Sequence, residues 1–473
     1  MNITLLTSEI IVVCLALLII VLDLLLPQGT TRRSLGSVAI VGIAGVAVYT
    51  CTLFGVSATV YRGLFIVDGF ALFFKQIFLI ATLLTLLFSL DYVENLVAYR
   101  GEFYALLLFA VAGMMIMASA NDLITIFVGT ELMTVTFYIL VGFQFSSLKS
   151  SEAGMKYMIL GSASSAILLY GMSWVYGYTG SIALEQIAHY TVASPGMLLG
   201  LGLIMAGLFF KLAVVPFHMW APEIYEGAPT PITAMLSMGS KAAGLAVLLR
   251  ILFVAFAGME TYWLPIVGIV ATITMIGGNV VAIWQTNIKR MLAYSSIAQA
   301  GYMLSGLMAA DAAGIKGILF YAMLYIFANV GAFAVIIAVH RHRGSNEIND
   351  FAGLAQQSPL LAVVMTVSLL SMAGIPPMAG FVGKIFIFTA VIEKGYIWLG
   401  LIGFVMSMIS VYYYLSVAKV MYLHEPYDEH TFVVSQPLCI AAVISLVATI
   451  GIGIYPGPLS AIATAAARSL SIL

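Results

Sequence analysis

The sequence predicts an all-α, polytopic membrane protein with about 14 transmembrane helices. Three observations carry that reading. The first is composition: of 473 residues, 62% belong to the set AVILMFWYC and only 8% are Asp, Glu, Lys or Arg, where soluble domains carry about 25% charge. A mean hydropathy of +1.10 agrees. The second is length. Crossing about 30 Å of hydrocarbon takes about 20 apolar residues at 1.5 Å each, and such runs begin near Leu5, Leu35, Gly69, Tyr104, Asp122, Ser151, Gly196, Pro231, Tyr262, Lys289, Ile315, Pro359, Tyr396 and Phe432. They are helices, because an open sheet cannot satisfy its backbone in lipid. The first run, Leu5 to Leu26, lacks a basic leader and a small-residue cleavage site; it reads as a span rather than a removable signal.

The third observation is the alternation of loop charge. One set of loops holds Arg32, Arg33, Arg100, Lys149, Lys289, Arg290, Arg341 and Arg343, with Lys156 and Lys419 close by. The other set, with both ends of the chain, holds Arg62, Lys316, Lys394 and Arg468. The positive-inside rule then places the first set in the cytoplasm and both termini outside, in a multi-pass protein of the cell inner (plasma) membrane. That arrangement requires an even number of spans.

Several function classes are excluded. A net charge of -1 with scattered basic residues gives no nucleic-acid footprint. Cys14, Cys51 and Cys439 are far apart, each in an apolar run. They read as buried small hydrophobes rather than as zinc or iron-sulfur ligands, which cluster at short spacing. The sequence has no GxGxxG after a strand, no Walker loop and no GxSxG elbow. No cofactor or metal site is therefore expected in this chain.

Five basic residues fall inside predicted spans: Lys75, Lys211, Lys241, Arg250 and Lys384. A charge at the bilayer centre costs about 2.5–3.5 kcal/mol on insertion scales, so such residues face a polar interior and mark ion or proton paths. Glu131 lies nine residues into its run and Lys241 ten residues after Pro231, which puts both about 13–15 Å deep. Lys75 and Arg250 sit closer to span ends, where they are expected to snorkel to an interface. Glu131 is the one acid near the middle of a run, since Glu9, Asp23, Asp91 and Asp122 lie close to span ends. One acid cannot neutralise three deep lysines. A desolvated lysine beside a carboxylate can be driven between protonation states, which makes such a pair a workable proton-hopping element.

Two spans are interrupted. Lys211 precedes Pro216 in KLAVVPFHMW, and Lys384 follows Pro376 and Pro377 in GIPPMAGFVGKIF. Proline removes a backbone donor and frees carbonyls, and broken helices at membrane depth line cavities or ion sites. These are spans seven and twelve, five apart, as two five-helix repeats of opposite orientation would place them. The chain accordingly divides into an N-terminal three-helix segment (1–100), a first repeat (101–260), a second repeat (261–425) and a C-terminal transmembrane helix with tail (426–473). His218, just beyond the first break, is a candidate for proton access. His340, His342, His424 and His430 read as solvated loop residues.

The segments FVGTELMTVTFYILVGF (127–143), SSEAGMKYMILGSASSAILLYG (150–171), FKLAVVPFHMWAPEIYEGAPTPITAML (210–236), NIKRMLAYSSIAQAGYML (287–304) and GIPPMAGFVGKIFIF (374–388) closely resemble the antiporter-like membrane subunits of respiratory complex I, the bacterial NADH:quinone oxidoreductase. The APEIYEGAPTPITA run is specific to their N-type branch. The resemblance covers most of residues 100–400 and implies a fourteen-helix fold with inverted five-helix repeats. It implies that Glu131 pairs with Lys211, that Lys241 passes protons along the midplane, that Lys384 joins a second half-channel, and that Lys156 and Glu152 belong to family positions near the cytoplasmic end of span six. The chain would then be a proton-translocating subunit of a translocase, with no electron-transfer site of its own. Its partners would be other membrane and peripheral subunits, which would carry NADH, FMN, the iron-sulfur clusters and quinone. A subunit of a multisubunit cation/proton antiporter shares the fold and lysines and is the alternative; the YEGAPTP run and Lys384 argue against it.

Overall fold

The computed structural model describes residues 3–27, 31–96, 99–189, 192–426 and 434–471. Twelve helices among these residues are long and apolar enough to cross a membrane. In chain order the helices are α1 (Thr7–Leu25), α2 (Arg33–Thr52), α3 (Gly69–Glu94), α4 (Arg100–Ser119), α5 (Leu123–Val141), α6 (Leu148–Thr179), the short α7 (Leu184–His189) and α8 (Pro195–Leu212). Then come α9 (Trp220–Gly227), α10 (Thr230–Met235), α11 (Lys241–Arg250), α12 (Glu260–Ala282), α13 (Ile288–Ser305) and α14 (Ala312–Arg343). The chain continues through α15 (Leu354–Gln357), α16 (Pro359–Ala373), α17 (Ala379–Glu393), α18 (Ile397–Leu423), α19 (Gln436–Ile454) and α20 (Gly457–Ser471). A small antiparallel hairpin, β1 (Ala58–Val60) and β2 (Phe65–Val67), joins α2 to α3.

Short polar side chains start many of these helices by accepting the backbone N–H groups that a first turn leaves unpaired. Asp68 accepts from Ala71 N at 2.6 Å, Asp122 from Thr125 N at 2.9 Å, and Asp311 from Ala313 N and Gly314 N at 3.0 Å.

Loop contacts sort the helix ends into two groups. At one end Arg32 meets Asp23 and Glu94, Gln144 bonds Tyr92, Lys149 and Arg290 share Glu226, and Asn287 bridges Glu347. At the other, Asn121 N bonds Leu64 O, Asp122 bridges Ala183, Lys394 meets Asp311 at 2.9 Å, and Ser469 accepts from Phe70 N. The Asn287–Glu347 and Asp311–Lys394 contacts lie at opposite ends, so α13 and the broken pair α16–α17 also cross the molecule. With the twelve long apolar helices, the crossings number about fourteen. The basic loop residues gather at the first end, and the outer ends of the described helices α1 and α20, at Thr7 and Ser469, lie at the second. The predicted start of the last span, Phe432, and His430 lie outside the described residues.

Burial separates centre from rim. Ala312–Arg343 is 94% buried along its apolar window and Thr7–Leu25 only 28%, so α14 runs through the middle while α1 turns most of its surface to lipid. Cys14 and Cys51 are exposed and Cys439 half-exposed. This corrects their reading as buried residues: on rim helices an apolar position faces the hydrocarbon as readily as the core.

The two halves repeat in reverse. α4 leaves the basic end and α12 leaves the opposite one. Gly113 of α4 packs so closely on Gly129 and Met133 of α5 that a Cβ there would lie 2.6 Å from Met133 N and 2.9 Å from Gly129 O. Gly278 of α12 packs on Tyr294 and Ala298 of α13 with the same two distances to Ala298 N and Tyr294 O. The offset is a constant 165 positions (113 to 278, 129 to 294, 133 to 298). Small residues allow such backbone approach in membranes, where packing rather than hydrophobic exclusion holds helices together.

Candidate functional site

The first break lies between α8 and α9. α8 ends on Ala213 in the left-handed region, φ 54°, and the backbone freed beyond it is taken up by neighbours. Val215 N donates to Thr274 Oγ1 of α12 at 3.0 Å, and Trp220 Nε1 donates to Phe210 O at 2.9 Å. The Trp220 ring stacks on Tyr157 and Phe210 at 4.9 and 5.4 Å, which fixes the return of the chain. Lys211, in the last turn of α8, is 1% exposed and donates to Thr134 Oγ1 of α5 at 2.8 Å. Glu131, one turn away on α5, is half-buried. Glu131 and Lys211 make no contact within ion-pair distance; Thr134 takes the ammonium, and the Glu131 charge acts on Lys211 through space.

Lys241 opens α11 directly after a π-helical turn, Leu236–Ser240; such turns inside helices recur at functional sites. Its ammonium is 1% exposed and donates to both Ser296 O and Ser296 Oγ of α13 at 2.8 Å. No carboxylate among the described residues lies within ion-pair distance of it.

The second break lies between α16 and α17 and is built alike. α16 ends on Gly374, φ 83°, a conformation glycine adopts without a Cβ penalty. Lys384, six residues beyond Met378, reaches back to the freed carbonyls: Nζ donates to Met372 O at 2.9 Å, Ala373 O at 3.1 Å and Ser407 Oγ at 2.8 Å. It also lies 4.3 Å from the Tyr302 ring centroid, where the ring's quadrupole attracts a cation. The ammonium thus sits at the negative end of a half-helix.

Between Lys241 and Lys384 the face of α13 carries polar side chains. Ser295 Oγ bonds Tyr414 OH, Gln299 Nε2 donates to Tyr414 OH at 3.2 Å and to Met372 O at 3.0 Å, and Tyr321 OH donates to Gln299 Oε1. A side branch joins Tyr413 OH, Asn279 and Tyr302 OH at 3.0 Å each. Sequence reasoning missed these groups, since uncharged polar residues in apolar runs carry no signal until tertiary register aligns them.

The remaining predicted residues divide. His218 is half-buried and its Nδ1 has no partner among the described residues. Lys156 meets Glu152 and the unpredicted Glu223 of α9, both at 2.6 Å, on an exposed face near the basic end. Beside them Lys289, read as a loop residue, is 2% exposed and donates to Glu226 O and Ala228 O, closing the end of α9. His340 is half-buried, with its Nδ1 3.4 Å from Ser345 O, whereas His342 and His424 are exposed.

Lys75 and Arg250 do not snorkel. Lys75 is fully buried against Glu9 of α1 at 2.7 Å, so Glu9 is an interior acid despite its place near a span end. Arg250 forms two bonds to Asp68, at 3.1 and 3.2 Å, and a third to Ala118 O, with both ionic side chains 1% exposed. Bidentate geometry of this kind offsets the desolvation of a buried pair. Among the described residues no three His, Cys, Asp or Glu side chains group as a metal site would need.

Residues 120–410 match the family model described as NADH:quinone oxidoreductase/Mrp antiporter, TM. A relative from Heliobacterium modesticaldum, named NADH-quinone oxidoreductase subunit N, is 52% identical over 99% of this chain and 100% of its own. One from Moorella thermoacetica with the same name is 48% identical over 97% of each. A chain of respiratory complex I from Thermus thermophilus superposes with a TM-score of 0.83 at 30% identity, over 97% of this chain and 99% of that one. A chain of the Mrp complex from Dietzia has the same fold, TM-score 0.89 over 100% and 98%, at 22% identity. With a match across more than half its length and full-length relatives at this identity, the chain belongs to the NADH:quinone oxidoreductase/Mrp antiporter family of membrane subunits.

Proposed function

We propose that this chain is the N-type, proton-translocating membrane subunit of an NADH:quinone oxidoreductase, complex I, driven by quinone reduction elsewhere in the complex. One observation carries the mechanism: three deeply buried lysines, two at helix breaks and one after a π turn, whose ammonium groups bond hydroxyls and carbonyls rather than carboxylates. Lysines left without ionic partners can release and regain a proton as a neighbouring charge changes. Lys211, with Glu131 nearby, takes up the proton in the first half; Lys241 passes it along the midplane; Lys384 delivers it to the second half-channel. His218 and the Lys156–Glu152–Glu223 group serve access and coupling.

The frame is a three-helix segment (1–100), two repeats (101–260 and 261–425) and a C-terminal part (426–473), with the basic end in the cytoplasm and both termini outside the plasma membrane. NADH, FMN, iron-sulfur clusters and quinone belong to partner subunits. The full-length relatives named as subunit N favour this assignment over the antiporter reading. Purification at native level with identification of the accompanying proteins tests it: redox subunits support the assignment, and small antiporter subunits overturn it.

A further inference from the structure

We infer that Gln299 is a gate, an insulating link that holds the midplane relay between Lys241 and Lys384 closed; the inference rests on the relay proposed above. Each element of the connection has a definite proton-carrying capacity. A hydroxyl takes a proton on one side while giving one from the other, so Ser295, Ser296 and Tyr414 can each pass one proton onward and return to their starting state. A neutral amide has two donors and an acceptor on different atoms, and a backbone carbonyl has no proton to give. Both receive hydrogen bonds without relaying protons.

The structure puts both insulators in the same place. Gln299 is fully buried and its amide is held on three sides: Nε2 donates to Tyr414 OH at 3.2 Å and to Met372 O at 3.0 Å, and Oε1 accepts from Tyr321 OH. Met372 O in turn accepts from Lys384 Nζ at 2.9 Å. Lys241 bonds Ser296, and one residue away on α13 Ser295 starts a separate hydroxyl link to Tyr414 that stops at the amide, one carbonyl short of Lys384. A cavity against its partners Tyr321 and Met372 measures about 10 Å³, at the lower limit for a single water molecule. Conduction requires Gln299 to swing away, so that Tyr414 and admitted water reach Lys384. Three hydrogen bonds hold it shut, which makes it a positioning residue that decides when the two lysines communicate.

The test uses the whole complex in sealed membrane vesicles. Gln299→Glu keeps the shape and the bond from Tyr321 but supplies a carboxyl that takes and gives protons; Gln299→Ala opens space for water. Both are expected to raise the passive proton leak several-fold without redox substrates. Both should also lower protons moved per quinone reduced and abolish the stimulation of turnover by an uncoupler. Adding Lys384→Ala should remove the leak, showing that it runs along this path. Packing damage would lower abundance on a native gel without a Lys384-dependent leak. If either assembled variant stays proton-tight with native stoichiometry while Lys241→Ala and Lys384→Ala stop pumping, the gate is wrong and the relay stands. If the lysine variants pump normally, both are wrong.

Discussion

Lys211 sits one residue before its helix ends, against a hydroxyl rather than an acid. Lys211→Ala removes the charge yet suits a helix, so quinone reduction coupled to pumping should fall severely while the complex still assembles. Thr134→Val removes the bond and keeps the volume, leaving a buried ammonium short of a partner; it should impair pumping less than Lys211→Ala. Normal pumping and turnover in Lys211→Ala would exclude its role. Arg250 makes a contrasting case, since its charge is matched by Asp68. Removing one partner of a buried pair costs about 3 to 5 kcal/mol, so Arg250→Met should lower complex abundance and melting temperature while the assembled fraction pumps at native stoichiometry. The depth of Lys211, Lys241 and Lys384 was legible because a charge in an apolar run is conspicuous. Thr134, Ser296 and Ser407 were not, because Ser and Thr commonly bond their own helix backbone. Lys75 was misjudged because distance along a helix says nothing of a carboxylate on another helix.

At the scale of elements, both breaks were visible as prolines, but not the way their free groups are satisfied. One half-helix ends beside a lysine of its own last turn, and the other receives Lys384 from beyond the break. Span order and charge alternation survived into the structure because the bilayer enforces them. The short helices α7 and α15, the hairpin and the final α20 lacked the length that makes a span stand out. α20 packs on α3 and α14, and Ser469 accepts from Phe70 N at 2.8 Å, an end-on contact no periodicity announces. The α12–α13 contact yields an element-scale prediction. A Cβ on Gly278 would meet backbone at 2.6 Å, whereas one on neighbouring Gly277 would meet only the Val215 side chain at 3.4 Å. Gly278→Ala should therefore strongly reduce assembled complex on a native gel and Gly277→Ala should not. Equal abundance of the two variants would show that the helices can part without consequence.

At the scale of the molecule, the inverted repeats place one broken helix in each half, the first packed on α6 and α11 and the second on the central α14, and α13 carries polar side chains between Lys241 and Lys384. Lys241 in the first half and Lys384 in the second then act in series, and that arrangement has a kinetic signature. If a proton must visit both, removing either interrupts the same flow, and the double variant Lys241→Ala with Lys384→Ala should be little worse than the more damaging single one. Two independent paths would instead give roughly multiplicative losses. Substitution by arginine separates charge from proton transfer. A guanidinium keeps the positive charge and its hydrogen bonds but stays protonated at any physiological pH. Lys241→Arg should thus pump as poorly as Lys241→Ala while assembling better, because the buried Ser296 acceptors retain a donor. Quinone reduction and proton translocation in inverted vesicles, each normalised to complex abundance, distinguish these cases. Wild-type stoichiometry in Lys241→Arg would make the residue an electrostatic fixture, and the proton path would then have to cross between the halves without titrating it.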